Sequence, residues 1–314
     1  MKKKQILSFF SLLCLFILFF SPEVCFAGAK KGITLWIYTI IPSLLPFIIV
    51  SNLFLNLNLL LSLTDWLYPI LHPLFKVSKY GCFPILIGMM SGYPMGAKAC
   101  ADLVKEGKIS SLEGQYLLSF VNNPSPMFLT TYLSIQCLQN ARIKYLLYCV
   151  LLASSFFNSF LYRILFLKRK TFNHSLKETS KDNASRSFAH AIDQAILDGF
   201  ITIIKIGGYV LLFSILAMFL LNLPLTLKPL TYGLLSLTEI TTACYELGIS
   251  TFSTKIKIIL TLTSTAFGGL SSLFQTQSVI AGSGLSLKTY IQCKITQCIF
   301  VFLSITVLLI FFRI

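Results

Sequence analysis

Charged side chains are scarce. Asp, Glu, Lys and Arg make up 12% of the 314 residues, about half the roughly 25% usual in a soluble domain. Acids are scarcer still, at 11 against 26 Lys and Arg. The three histidines, His72, His174 and His190, lie far apart and give no metal-site argument. Nine cysteines are scattered through apolar stretches without a CxxC or Cys/His spacing, which excludes a zinc module and a disulfide framework. No P-loop, HExxH motif or nucleophile–base pair occurs, and the Gly-rich AGSGLS (Ala281–Ser286) follows no strand. An enzyme is therefore not expected, and neither is a cofactor. The basic excess lacks a basic helix or an aromatic RNA-binding signature, so nucleic acid is not an expected partner.

What is abundant is apolar surface: 55% of residues are hydrophobic, 28 are Phe, and mean hydropathy is +0.79. So few charges cannot cover that surface in water. The chain is expected to be an all-α polytopic membrane protein whose main partner is the lipid bilayer; homo-oligomerisation stays open.

Residues 1–27 combine Lys2–Lys4, an apolar run from Ile6 to Phe20 and a small-x-small site at Cys25-Phe26-Ala27. That pattern fits a cleaved signal peptide or a retained first helix. Further spans are expected at Ile33–Leu63, kinked at Pro42 and Pro46, at Tyr145–Leu167, at Phe200–Leu221 and at Ile291–Phe312. The short run Cys82–Met90 stops at SGYPMGAK (Ser91–Lys98), too soon to cross, and reads as a re-entrant hairpin. Leu112–Leu138 is broken at Asn122-Asn123-Pro124-Ser125-Pro126. Leu230–Leu247 carries Glu239, and Ile256–Ile280 is broken at Phe267-Gly268-Gly269. The sum is about six spans plus two broken re-entrant hairpins.

A weak internal repeat is visible at an offset of 174, where Leu63-Thr64-Asp65 matches Leu237-Thr238-Glu239 and Pro94 falls on Gly268. The expected division is an N-terminal helix and connection (1–32), a first repeat (33–167), a cytoplasmic polar linker (168–195) and a second repeat (196–314). With the N-terminus inside, sixteen Lys/Arg fall on the inner side and nine, Lys294 among them, on the outer side. Lys205 lies inside a span, where snorkelling is expected. This topology inverts the second repeat relative to the first, an arrangement that secondary transporters use to build a midplane site.

Non-helical backbone at membrane depth is tolerated where it is buried or lines a cavity. Half-helix N-termini at such breaks offer N–H groups and partial positive charge to an anion. Gly and Pro also serve plain helix packing in membranes, so one break alone says little, whereas three with polar side chains point to a binding site. The candidate substrate-binding residues are Ser91, Gly92, Tyr93, Pro94, Lys98, Asn122, Asn123, Ser125, Gly268, Gly269, Ser271, Gln275 and Gln277. Glu239, an acid in an apolar segment, is a candidate for proton or cation coupling.

The stretches LWIYTIIPSLLPF (Leu35–Phe47), SGYPMGAK, FVNNPSPMF (Phe120–Phe128), LTEIT (Leu237–Thr241) and FGGLSSLFQTQSVI (Phe267–Ile280) occur in an order that resembles one family. It is that of the sporulation integral membrane protein YlbJ, or SpoVV, with paired nucleoside-recognition Gate domains. The resemblance implies that the first hydrophobic segment is retained. It also implies a role in endospore formation, moving dipicolinic acid, a small planar dianion, from the mother cell across the outer forespore membrane. The alternatives are a nucleoside or other metabolite transporter, and a non-transporting factor in spore-envelope assembly.

Overall fold

A computed structural model of the protein describes residues 19–57, 59–167, 188–223 and 228–311. Residues 6–18 of the first apolar run, Lys2–Lys4 and most of the 168–195 linker lie outside the described residues. Among the described residues all regular structure is helical. Five stretches are long and apolar enough to cross a membrane: Pro22–Asn56, Ala141–Phe166, Phe188–Asn222, Thr254–Ile280 and Leu287–Phe311. The protein is an all-helical, polytopic membrane protein.

The first long helix, α1 (Pro22–Asn56), begins earlier than the expected span and runs unbroken through Gly32 and Ile33. Proline removes an i→i−4 bond and its ring crowds that carbonyl. The chain answers with a π-helical turn at Trp36–Ile40, just ahead of Pro42. Ser43 Oγ donates to the Thr39 carbonyl at 2.6 Å. The expected kink is thus a local widening that displays Tyr38, Thr39 and Ser43 on one side.

Helices α2 (Leu60–Phe75), α3 (Cys82–Ser91) and α4 (Met95–Lys105) follow, and α3 and α4 fold back against each other as a hairpin. Next come α5 (Ser111–Val121) and the π-helical α6 (Phe128–Cys137), either side of the Asn-Pro-rich break, and then α7 (Lys144–Tyr162). The second half contains α8 (Phe188–Asn222), α9 (Lys228–Thr238), α10 (Ile240–Ile249), α11 (Thr254–Phe267), α12 (Gly269–Ile280) and α13 (Leu287–Phe311).

The second expected hairpin is not a hairpin. Helix α11 packs mainly on α13 and α10, whereas α12 packs mainly on α4, α8 and α9. The two diverge at Gly268 and together give the length of one crossing. Two successive glycines with positive φ, 90° and 73°, let the chain turn there without folding back.

Helices α1 and α8 lie antiparallel along most of their length. Gly28 meets Ile215 and Met218, Gly32 meets Leu211 and Ser214, and Gly207 sits against the Trp36 ring. Asn52 and Asn56 donate to the carbonyls of Ala195 and Ala191. Small residues at such contacts let backbones approach where lipid supplies no hydrophobic drive. One apolar cluster joins α1–α5 with α8 around Ile48, Phe83, Leu117 and Val210. A second joins α6, α7, α11 and α13 around Leu133, Leu147, Leu262 and Ile305. On α13 Val301, Ile305 and Leu309 are buried while Phe302, Leu303 and Ile310 are exposed, a helical face turned toward lipid.

Candidate functional site

All three breaks converge on one cavity of about 190 Å3. That is somewhat more than an engineered apolar cavity of about 150 Å3 that holds benzene, so a single-ring solute fits. Its wall takes Ser91 and Tyr93 from the α3–α4 break, Pro124 and Ser125 from the α5–α6 break, and Gly268 and Ser271 from the α11–α12 break. Gln275 and Glu239 also line it, with Tyr38 and Thr39 from the π turn of α1 and Ser43 just beyond that turn.

The first two breaks interlock. A Cβ on Gly88 would run into the Val121 carbonyl, and one on Gly96 would come within 2.6 Å of the same oxygen. Gly92, with φ 86°, would place a Cβ 2.5 Å from the Ser125 nitrogen. Glycine at every fourth residue therefore seats the end of α5 between α3 and α4. This seat holds Ser91, Tyr93 and Ser125 on a common wall.

Ser91 is buried, as is the Tyr93 hydroxyl, and neither oxygen finds a hydrogen-bond partner among the described residues. A buried orphan hydroxyl costs about 1–3 kcal/mol, so this part of the cavity wall carries two polar groups that the protein itself leaves unsatisfied.

The half-helix N-termini are not equally free. Ser125 Oγ accepts from Phe128 N at 3.1 Å and so caps α6. Glu239 caps α10, accepting from Thr241 N at 2.9 Å and Thr242 N at 2.7 Å. At α4 the Ala97 N–H reaches Asn122 Oδ1 at 3.4 Å. Helix α12 has no side-chain cap, which leaves its first N–H groups, beside Gly268 and Ser271, without a capping acceptor.

Glu239 is 3% exposed and lines the cavity. Its repeat counterpart Asp65 sits within the uninterrupted α2, exposed, in an ion pair with Lys79 at 2.6 Å. Matched in sequence, the two acids differ in role: one is a surface pair, the other a buried cap that still faces the cavity.

Several expected residues sit elsewhere. Asn122 lies behind the wall, its Nδ2 donating to Thr276 Oγ1 at 3.0 Å and Tyr290 OH at 2.8 Å. Asn123 donates to the Phe120 carbonyl and Ser155, and accepts from Gln297 Nε2 at 2.8 Å. Pro94 is the N-cap of α4, and Gly269 fits against the Thr238 carbonyl. Lys98 faces a second cavity. Gln277 is exposed on the far side of α12, because residues two apart on a helix point apart; only Gln275 reaches the cavity.

Sequence reasoning passed over Tyr132, Thr131 and Gln136, which line the cavity from α6. It also assigned Lys294 to the outer side. Lys294 is 2% exposed within α13, its ammonium held by Gln297 Oε1 at 3.0 Å and Asn123 Oδ1 at 3.3 Å, over the Tyr290 ring. No carboxylate pairs with it among the described residues. None of the eight described cysteines forms a disulfide.

With this geometry in place, comparison with known proteins gives a relative. The chain is 30% identical over 242 residues to the sporulation integral membrane protein YlbJ of Bacillus subtilis (strain 168). The match covers 70% of this chain and 58% of the relative's length, and the chain is a homologue of that protein. No protein-family model and no solved structure matches the chain.

Proposed function

We propose that this homologue of a sporulation membrane protein is a transporter, not an enzyme. It binds a small organic dianion, dipicolinate, in the central cavity and moves it from the mother cell across the outer forespore membrane. The observation that carries the reading is the pair of orphan hydroxyls, Ser91 and Tyr93, buried on the wall of a cavity sized for one ring. Both can donate to carboxylate oxygens. The uncapped N-terminus of α12 supplies backbone donors and a partial positive charge.

Glu239 supports a coupling role. A dianion that enters a cavity already holding a carboxylate is repelled by it. A proton or cation taken up at Glu239 together with the substrate removes that repulsion, so the acid links the two movements.

Our reading of the chain keeps two inverted repeats, 33–167 and 196–314, joined by a cytoplasmic linker. The leading helices α1 and α8 pack antiparallel, as inverted partners must. Alternating access follows from motion of one repeat relative to the other.

The test is thermal unfolding of purified protein with dipicolinate or uridine. Stabilisation by dipicolinate alone is expected, and it is reduced in Tyr93→Phe. Stabilisation by uridine alone would transfer the reading to a nucleoside carrier. In sporulating cells lacking the protein, dipicolinate should accumulate in the mother cell and be missing from the spore; normal spore content would refute transport.

A further inference from the structure

A second cavity, of about 160 Å3, lies beside the first and shares Gln275 and Ile206 with it. Its wall is built by helical periodicity. Lys98, Asp102 and Lys105 recur along one face of α4, and Thr202, Lys205 and Tyr209 along one face of α8. Three lysines and a single aspartate thus line one pocket. Lys98 is tied to Asp102 at 2.6 Å and to Asn52 Oδ1 at 3.0 Å. Lys105 and Lys205 have no ion pair among the described residues.

A lysine that merely sets topology or snorkels turns outward to headgroups and water. Lys205, at the middle of the long α8, and Lys105 are both exposed, yet they stand with Lys98 around one open pocket. Lysines gathered around one open pocket raise the local positive potential and draw anions to it. Gln275 and Ile206 stand between this pocket and the central cavity, and Gln275 Nε2 donates to Ser271 Oγ at 3.1 Å, on the central side.

We propose that this second cavity is an anion-loading site. It takes a small dicarboxylate at Lys105 and Lys205 and passes it to the central cavity as the Gln275 side chain leaves Ser271. The inference rests on the anion-transport reading above and adds a distinct first station, on the side that the lysine bias places inward.

Cysteine chemistry at Thr202 reads this cavity alone. In Thr202→Cys protein, the modification rates by anionic sulfonatoethyl and cationic trimethylammonioethyl methanethiosulfonate are followed at that peptide by mass spectrometry. Each is normalised to its rate with free cysteine. The anionic reagent should be favoured by about tenfold or more at low salt. The preference should shrink in 1 M salt, and collapse when Lys105 and Lys205 are both changed to Gln. Added dipicolinate should slow modification. If Thr202→Cys does not fold, Ser278→Cys probes the same wall. A normalised preference at or below one, or one indifferent to the two lysines, overturns the proposal. If that happens while Tyr93→Phe still weakens dipicolinate binding, the central site stands without the loading site. Charge preference and dipicolinate protection at position 202 in a protein that moves no dipicolinate would sink the transport reading instead.

Discussion

Changing Glu239 to Gln should push folding stability and dianion affinity in opposite directions. The carboxylate now accepts two backbone N–H bonds, from Thr241 and Thr242, at 2.9 and 2.7 Å. An amide keeps one acceptor oxygen, so one charge-assisted bond is lost and the other is weakened. With charged bonds at about 1.5–3 kcal/mol and neutral ones at about 0.5–1.5 kcal/mol, the cap loses roughly 3 kcal/mol. That corresponds to a fall in Tm of roughly 4 °C or more. The cavity is small enough, at about 190 Å3, that any ligand charge lies within roughly 7 Å of the carboxylate. At an effective dielectric near 20 the repulsion removed is about 2 kcal/mol per ligand charge, or about thirtyfold in Kd for each of the dianion's two charges. The assay is thermal unfolding at pH 7 across a dipicolinate titration, for wild type and Glu239→Gln. The variant should melt earlier when empty yet gain more from the dianion, and a proton gradient that drives wild-type uptake should leave it unaffected. Lower stability with unchanged or weaker dianion binding would refute the reasoning, because the acid would then be a cap and nothing more.

Tyr93→Phe and Ser91→Ala remove hydroxyls that have no partner, so the empty protein should be at least as stable as wild type, while dipicolinate affinity falls about tenfold; calorimetric titration reads both. Gly96→Ala drives a methyl toward the Val121 carbonyl and should cost about 1–3 kcal/mol through overpacking, seen as a lower midpoint in thermal unfolding. Asn122→Ala leaves Thr276 and Tyr290 without their buried donor and should destabilise by about 1–3 kcal/mol, with dianion affinity changed less than by Tyr93→Phe. Lys294→Met keeps the aliphatic stem and removes a buried charge that lacks a counterion, so stability should hold or rise; a drop of several degrees would show that Gln297 and Asn123 need the ammonium.

The membrane class and the three breaks were legible because hydropathy and Gly/Pro interruptions are local properties of the chain. Ser91, Tyr93, Ser125, Gly268 and Ser271 reach the cavity because each lies at or beside a break, and Gln275 follows Ser271 one turn on along the same face of α12. Asn122 and Asn123 flank one too, but their side chains turn inward to α12, α13 and α7. Which way an amide points at a break depends on neighbours distant in sequence. The failure at Gln277 was avoidable, since a two-residue spacing on a helix already separates the faces. Lys294 was misplaced because a Lys count treats every basic residue as a boundary marker, and only packing distinguishes a buried ammonium from one in the headgroups. The second hairpin failed for a similar reason: a glycine pair licenses a turn but does not set its angle, which the contacts of α11 with α13 and of α12 with α4 decide.

The antiparallel pairing of α1 with α8 also bears on how the protein is made. The indole of Trp36 donates to the carbonyl of Ile203 across a separation of 167 residues. Gly28 and Gly32 likewise find their neighbours only beyond residue 210. As the chain leaves the ribosome, α1 enters the bilayer with its small-residue face uncovered, and everything up to α7 is synthesised before its partner exists. Contacts of such long range form late. The π-turn wall of the cavity is therefore set in place only after α8 has been inserted, and a chain truncated before Phe188 would leave that wall without its support.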